Sequence, residues 1–172
     1  MRRTVVVDTD VLIHLGQVGR LDLLATLPNM DFVVPEAVIA ELLKPESRKL
    51  VEHALKEGWV QRVRLTGPSE WERFESILKS GAIGSGEAEC LTLAESRQWR
   101  LASDDYGRSF RRLAAALVEG GRATDTLGLV TLAIRAGLLT VAEADEFLST
   151  WSAQEFRVEV RSFADLVSPP AP

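Results

Sequence analysis

Thr4-Val5-Val6-Val7-Asp8-Thr9-Asp10-Val11-Leu12-Ile13-His14-Leu15 is the stretch that decides the architecture of this chain. Three consecutive valines form an unbroken, β-branched apolar run, which suits a strand buried on both faces. After Asp10 the residues suit a helix instead. Residues 4–7 therefore read as a strand that delivers Asp8 to its C-terminal end, and 11–15 as the helix that follows. The same alternation of short β-branched runs and longer segments of helical period continues along the chain, as expected of parallel strands joined by crossover helices. The expected class is α/β, with a central, mostly parallel sheet flanked by helices.

Working outward, residues 21–27 read as a second helix and Phe32-Val33-Val34 as the next strand. Pro35 is placed at the first position of a helix, where a missing N–H costs nothing. Residues 45–56 form a helix with a solvated charged face; Gly58 stops it before a strand over 59–65. Ser69 is expected to cap a helix running to Ser80. Gly81-Ala82-Ile83-Gly84-Ser85-Gly86 is too rich in glycine for a regular element and reads as a mobile surface loop, with a helix from Glu87. Leu101-Ala102-Ser103 is a short strand ending in Asp104-Asp105, and helices are expected over 106–119, 126–136 and 141–150. One domain over 1–167 and a disordered Pro-rich tail at 168–172 complete the expectation.

Composition narrows the function classes. With 46% apolar and 26% charged residues, the 172-residue chain is a folded globular protein rather than a disordered or low-complexity one. A net charge of −5 excludes holding nucleic acid by bulk positive charge, so any such contact is local. One cysteine, Cys90, and two histidines exclude a disulfide framework and a zinc site of several Cys and His ligands, and fit a reducing cytoplasm. The run at Val5 to Val7 is cut by Asp8 and Asp10, so it is neither a signal segment nor a membrane span.

Asp8 stands at a strand end, where open parallel sheets bind their ligands. Asp104-Asp105 repeats that placement. Glu41 sits in the apolar run Val38-Ile39-Ala40-Glu41-Leu42-Leu43 and needs a partner or water. On a helix from Glu87, positions 90, 91 and 94 share its face, so Glu87 points into the apolar side, while Glu89 faces away with Thr92 and Ser96 and serves the helix dipole. If Asp8, Glu41, Glu87 and Asp104 converge, each pair at ~5 Å repels by roughly 3 kcal/mol at an effective dielectric near 20. Such a cluster requires a hard, oxygen-preferring cation, Mg²⁺ or Mn²⁺, and a phosphodiester is the substrate class that this ion serves.

Five strings, VVVDTDVLIHLGQVGRLDLL (5–24), FVVPEAVIAELL (32–43), GSGEAECLTLA (84–94), LASDDYGRSFRRLA (101–114) and DTLGLVTLAIRAGLL (125–139), together resemble a PIN-domain protein, most closely the small prokaryotic members found in toxin–antitoxin systems. The resemblance implies a three-layer sandwich and a metal-dependent endoribonuclease that cuts single-stranded RNA. It also implies a small antitoxin partner and a homodimer. Asp8 matches the first acid of the family, Glu41 the second and Glu87 the third. For the fourth, a hydroxyl residue, any residue, then Asp selects Asp105 after Ser103, whereas a plain strand-end acid selects Asp104; the metal set Asp8, Glu41, Glu87 and Asp104 keeps Asp105 as a possible partner. Thr9 matches a hydroxyl beside the first acid. Asp125 replaces a usual Gly and reads as a helix cap, and Glu replaces Asp at the third acid.

Arg108, Arg111 and Arg112 share a helix face at i, i+3 and i+4, which reads either as a solvated arginine face or as a candidate phosphate grip for an otherwise acidic protein. His14, four residues after Asp10, reads as a structural hydrogen-bonding partner. The four tryptophans are dispersed and suit packing. Two competing readings follow the same residues. The opening motif also looks like that of haloacid-dehalogenase-type phosphatases, with Asp8 as nucleophile and no role for Glu41 or Glu87. The other is a non-catalytic PIN-like module that binds a partner.

Overall fold

The computed structural model describes residues 2–80 and 83–168. Five parallel strands, β1 (Arg3–Val7), β2 (Met30–Pro35), β3 (Gln61–Val63), β4 (Arg100–Ala102) and β5 (Ala123–Thr124), lie in the order β3-β2-β1-β4-β5. The helices are α1 (Thr9–Gln17), α2 (Leu23–Thr26), α3 (Glu36–Ala40), α4 (Pro45–Lys56), α5 (Gly67–Lys79), α6 (Ser85–Ser96), α7 (Arg108–Leu117), α8 (Thr126–Arg135), α9 (Val141–Ala153) and α10 (Ala164–Val167). The chain leaves β1 in one direction to build β2 and β3, then crosses back to build β4 and β5 on the other side. Right-handed crossovers in opposite directions put their helices on opposite faces of the sheet. Accordingly α6 packs on β1, β2 and β4 and gathers α3, α5 and α7, while α1 gathers α4, α8 and α9. The three-layer α/β sandwich is the architecture.

Val5, Val6 and Val7 are buried, because both faces of the central strand are covered. Helix α6 is enclosed on nearly every side: Ala88, Glu89, Cys90, Leu91, Thr92, Leu93 and Ala94 are all buried. Glu89, expected on a solvent face, is instead inside, where its carboxylate accepts the Ala37 N–H at 2.7 Å and so caps the start of α3. A helix roofed by α3, α5 and α7 has no wet side for it to occupy.

Several element ends differ from expectation for local reasons. Pro35 closes β2 and is the residue before α3, rather than its first residue. Thr66, not Ser69, precedes α5; the Glu70 carboxylate accepts the Thr66 N–H at 2.6 Å. Helix α6 starts at Ser85, so Ser85 and Gly86 belong to it, while Gly81-Ala82 lies outside the described residues. Helix α7 begins only at Arg108, because Asp105 holds the Gly107 N–H in a turn. Two short elements, β5 and α10, carry too few residues for a period to register. Of the expected tail, Ser168 closes α10 by donating to the Ala164 carbonyl at 3.1 Å, and 169–172 lie outside the described residues. No described helix is long and apolar enough to cross a membrane.

One ion pair ties the α6 layer together. Arg97, at the end of α6, donates to both oxygens of Glu70 at 2.7 and 2.9 Å and to the Arg64 carbonyl at 3.0 Å. The Arg97 bond, opposed by burial, holds the Glu70 carboxyl below its ordinary 4.5, so its contribution is intact above that pH and is lost as pH falls through the lowered value. Arg97→Ala leaves a carboxylate that is only 10% exposed without its cation. We expect a loss of about 2–3 kcal/mol by urea unfolding at pH 7, with a smaller loss at pH 3; equal losses at both pH values would contradict this role.

Candidate functional site

The strand order reverses between β1 and β4, and the crevice above the C-terminal ends of these two strands is where an open α/β sheet places ligands. Asp8 leaves β1 and caps α1, accepting the Thr9 N–H at 2.7 Å. From the end of β4, Ser103 donates its hydroxyl to the other Asp8 oxygen at 3.0 Å and accepts the Asp105 N–H at 3.2 Å. One serine thus fixes both acids relative to each other. Glu41 comes from the end of α3 and reaches across to α6, where it accepts the Ser85 hydroxyl at 2.9 Å and the Gly86 N–H at 2.8 Å. Glu87 turns back to accept the Gly84 N–H at 2.7 Å in the first turn of the same helix.

Gly86 lets the Glu41 carboxylate lie close against the start of α6. A Cβ at this position would collide with the Glu41 carboxylate, with Cδ only 3.0 Å away.

The electrostatics show how these groups interact. Burial, opposed by the Thr9 N–H and the Ser103 hydroxyl and reinforced by the charges of Asp10 and Glu41, pushes Asp8 up to about 6. Burial, a hydrogen bond shared with Asp105 and the charges of Asp105 and Asp8 push Glu87 up to about 7, against the Gly84 N–H. Asp10 is raised by burial and by Asp104 and Asp105, against the pull of His14. The buried Cys90 thiol is pushed up by burial and then by Asp8, Glu89, Glu41 and Glu87. Among the described residues no Lys or Arg forms an ion pair with Asp8, Asp10, Glu41, Glu87 or Asp105.

Asp104 and Asp105 have different surroundings. Asp104 accepts the Thr126 N–H at 2.8 Å, the Thr126 hydroxyl and the His14 Nδ1–H at 2.6 Å, and its side chain is 1% exposed. These bonds bind the end of β4 to α1 and α8. Asp105 accepts the Gly107 N–H at 2.5 Å, lines an open pocket, and acts through its charge on Glu87. His14 bonds to Asp104 rather than to Asp10, the partner that helical spacing suggests, because the strand end brings Asp104 to the ring from 90 residues away. Asp125 caps α8, accepting the Gly128 N–H at 2.7 Å. The Thr9 hydroxyl is buried and makes no hydrogen bond among the described residues.

Arg108, Arg111 and Arg112 are exposed along α7, unpaired with any described carboxylate, and Arg111 borders the pocket beside Asp105. Sequence reasoning missed Ser103 as the tie between Asp8 and Asp105, Asp10 as a further contributing acid, and Tyr106 beside them. The serine had a signal, a hydroxyl at the end of a strand two residues before an acid.

A cation fits the chemistry of this donor set: hard oxygens, excess negative charge and raised carboxyl values. Among the described residues no three His, Cys, Asp or Glu side chains stand close enough to share one ion as placed.

Asp8 carries a measurable cost. Its value rises from 3.8 to about 6, so the native state retains a proton that the unfolded chain has released. The destabilisation is fully present above about pH 6 and disappears as pH falls toward 3.8. In EDTA, Asp8→Asn should raise the unfolding free energy by about 1–3 kcal/mol at pH 8, and the gain should shrink steadily toward pH 4. Destabilisation by Asp8→Asn at pH 8 would contradict the uncompensated charge.

A family model described as PIN domain matches residues 4–168. Among solved structures the chain is similar to the crystal structure of PAE2754 from Pyrobaculum aerophilum, at 20% identity over 77% of this chain and 98% of that chain, with a TM-score of 0.47. No curated protein matches it. PIN domains are typically nucleases that use divalent metals. A match spanning nearly the whole sequence settles the assignment: the chain belongs to the PIN-domain family.

Proposed function

We propose that this protein is a divalent-metal-dependent endoribonuclease that hydrolyses phosphodiester bonds of single-stranded RNA. The observation that carries the reading is a group of carboxylates, uncompensated by Lys or Arg among the described residues, at the β1/β4 strand ends of a PIN domain. Membership of that family displaces the phosphatase reading, which left Glu41 and Glu87 idle.

Asp8, Glu41, Glu87 and Asp105 are the residues we assign to holding Mg²⁺ or Mn²⁺. The ion, when bound, neutralises phosphoryl oxygens and lowers the pKa of an attacking water. Ser103 sets the spacing of Asp8 and Asp105, and Gly86 leaves room for Glu41. Asp104 is assigned to positioning: its three described bonds hold the β4 end in place, and it takes the fourth-acid role away from the plain strand-end reading. The α7 arginines supply local positive charge to the RNA backbone, which reads no bases.

Purified protein mixed with single-stranded RNA should cleave it in Mn²⁺ or Mg²⁺, stop in EDTA, and lose activity to background with Asp8→Asn or Asp105→Asn. Asp104→Asn should retain a fraction, lower by about 10–100-fold, as expected of a residue acting through its neighbours. Intact RNA in both metals ends the nuclease reading; a folded, inactive Asp104→Asn beside an active Asp105→Asn reverses the assignment of the fourth acid. Release of inorganic phosphate from a small monoester, unaffected by Glu87→Gln, would restore the phosphatase reading.

Replacing both Arg108 and Arg112 by Ala should weaken RNA binding and reduce its salt slope by about 0.7 for each phosphate that is no longer neutralised. An unchanged slope would remove α7 from the binding surface. Growth arrest on induction, abolished by Asp8→Asn, tests the extension of this activity to a toxin restrained by a small antitoxin.

A further inference from the structure

A pocket of about 340 Å³ opens directly beside the acids, between α7 and the β4 and β5 strands. Leu101, Phe110, Ala114 and Val118 supply its apolar walls. Ser103 and Asp105, shared with the acidic cluster, and Asp125 also line it. Tyr106, half exposed, and Arg111 complete the lining. Apart from the border at Ser103 and Asp105, the metal-binding reading leaves this space unused.

We infer that the pocket binds one unstacked nucleobase of the RNA, and that it favours guanine over uracil. The inference rests on the proposed ribonuclease activity, whose phosphodiester must lie at the acids on the pocket's border. Four features of the pocket support it. An apolar slot with an aromatic ring and a guanidinium is the environment in which proteins hold bases taken out of a stack. The volume lies at the lower end of the ~300–1,000 Å³ of small-ligand sites, enough for a base with its ribose. Ser103 and Asp105 line the pocket and also belong to the acidic cluster, so the two sites adjoin.

The fourth feature is the polar edge, which sets the preference. Asp125 Oδ1 is committed to the Gly128 N–H, and Oδ2 accepts only a long bond from the Tyr106 hydroxyl at 3.4 Å. That oxygen remains an acceptor. Guanine offers it adjacent N1–H and N2–H₂ donors, whereas the single N3–H of uracil is flanked by two carbonyls that a carboxylate repels.

Binding is tested without cleavage, in EDTA, by ligand-observed NMR with guanosine, uridine and ribose as probes. Guanosine should bind more tightly than uridine, and ribose should show no saturable signal. Tyr106→Ala should weaken guanosine binding about tenfold by removing the ring. Asp125→Ser retains a capping hydroxyl for α8 while removing the carboxylate, and should bring guanosine and uridine to equal affinity. Equal binding of guanosine and ribose, or guanosine binding unchanged in both variants, overturns the inference. Mapping cut sites on a mixed-sequence RNA in Mn²⁺ gives the second readout: cuts should cluster beside guanine in the native protein and spread in Asp125→Ser. Cleavage without base binding sinks the pocket alone, whereas base binding without cleavage sinks the nuclease reading alone.

Discussion

Negative charge gathered at the end of a buried strand, with no Lys or Arg paired to it among the described residues, is the constraint on which the remaining structure depends. Burial, reinforced by neighbouring acids, pushes Asp8 up to about 6 and Glu87 up to about 7. The chain contains this repulsion in two ways. Backbone and hydroxyl donors from Thr9, Ser103, Gly84, Ser85 and Gly86 satisfy oxygens of Asp8, Glu41 and Glu87. Beneath them, the covered valines of β1 and the enclosed helix α6 supply apolar burial that does not depend on the site. The site therefore carries uncompensated charge on a well-packed support.

Helix α6 shows how one element serves both needs. Its first turn bears Glu87 toward Asp105, while two residues further on Glu89 lies under α3, where it satisfies the Ala37 N–H. Glu41 follows α3 and returns to the Gly86 N–H at the beginning of α6. The two helices thus hold each other's acids in register. Arg97 then fixes the far end of α6 to Glu70 on α5, so rotation of the helix would break contacts at both ends.

Much of this is legible in the residues. The valine run locates β1 and the position of Asp8, and the apolar setting of Glu41 marks it as unusual. The alternation of elements indicates the parallel sheet and the two helical layers. Amphipathicity misplaces Glu89, since the argument assumes one dry face and α6 has almost none that is wet. Strand β5, two residues long, has no period to detect, yet it supplies a wall of the pocket beside Asp105. Spacing after the hydroxyl of Ser103 points to Asp105 and strand-end placement points to Asp104, and propensity does not choose between them, because the direction in which a side chain leaves a strand end is fixed by its tertiary partners.

Those partners lie far away in the chain. Asp104 bonds to His14 on α1 and to Thr126 on α8. The His14 ring stacks on Phe156 with centroids 3.5 Å apart, and its carbonyl accepts the Trp151 indole N–H at 2.9 Å. Trp151 is fully buried and meets Phe147, Phe156 and Phe163 edge-on, so an aromatic cluster from the C-terminal region supports α1 from behind. With Asp104 anchored by that assembly, the next residue necessarily leaves in another direction, and the Ser103 hydroxyl on its N–H aims it at Glu87. Adjacent aspartates thus divide their work by the groups that reach them: one fastens the strand end to the core, and the other is left to face the crevice.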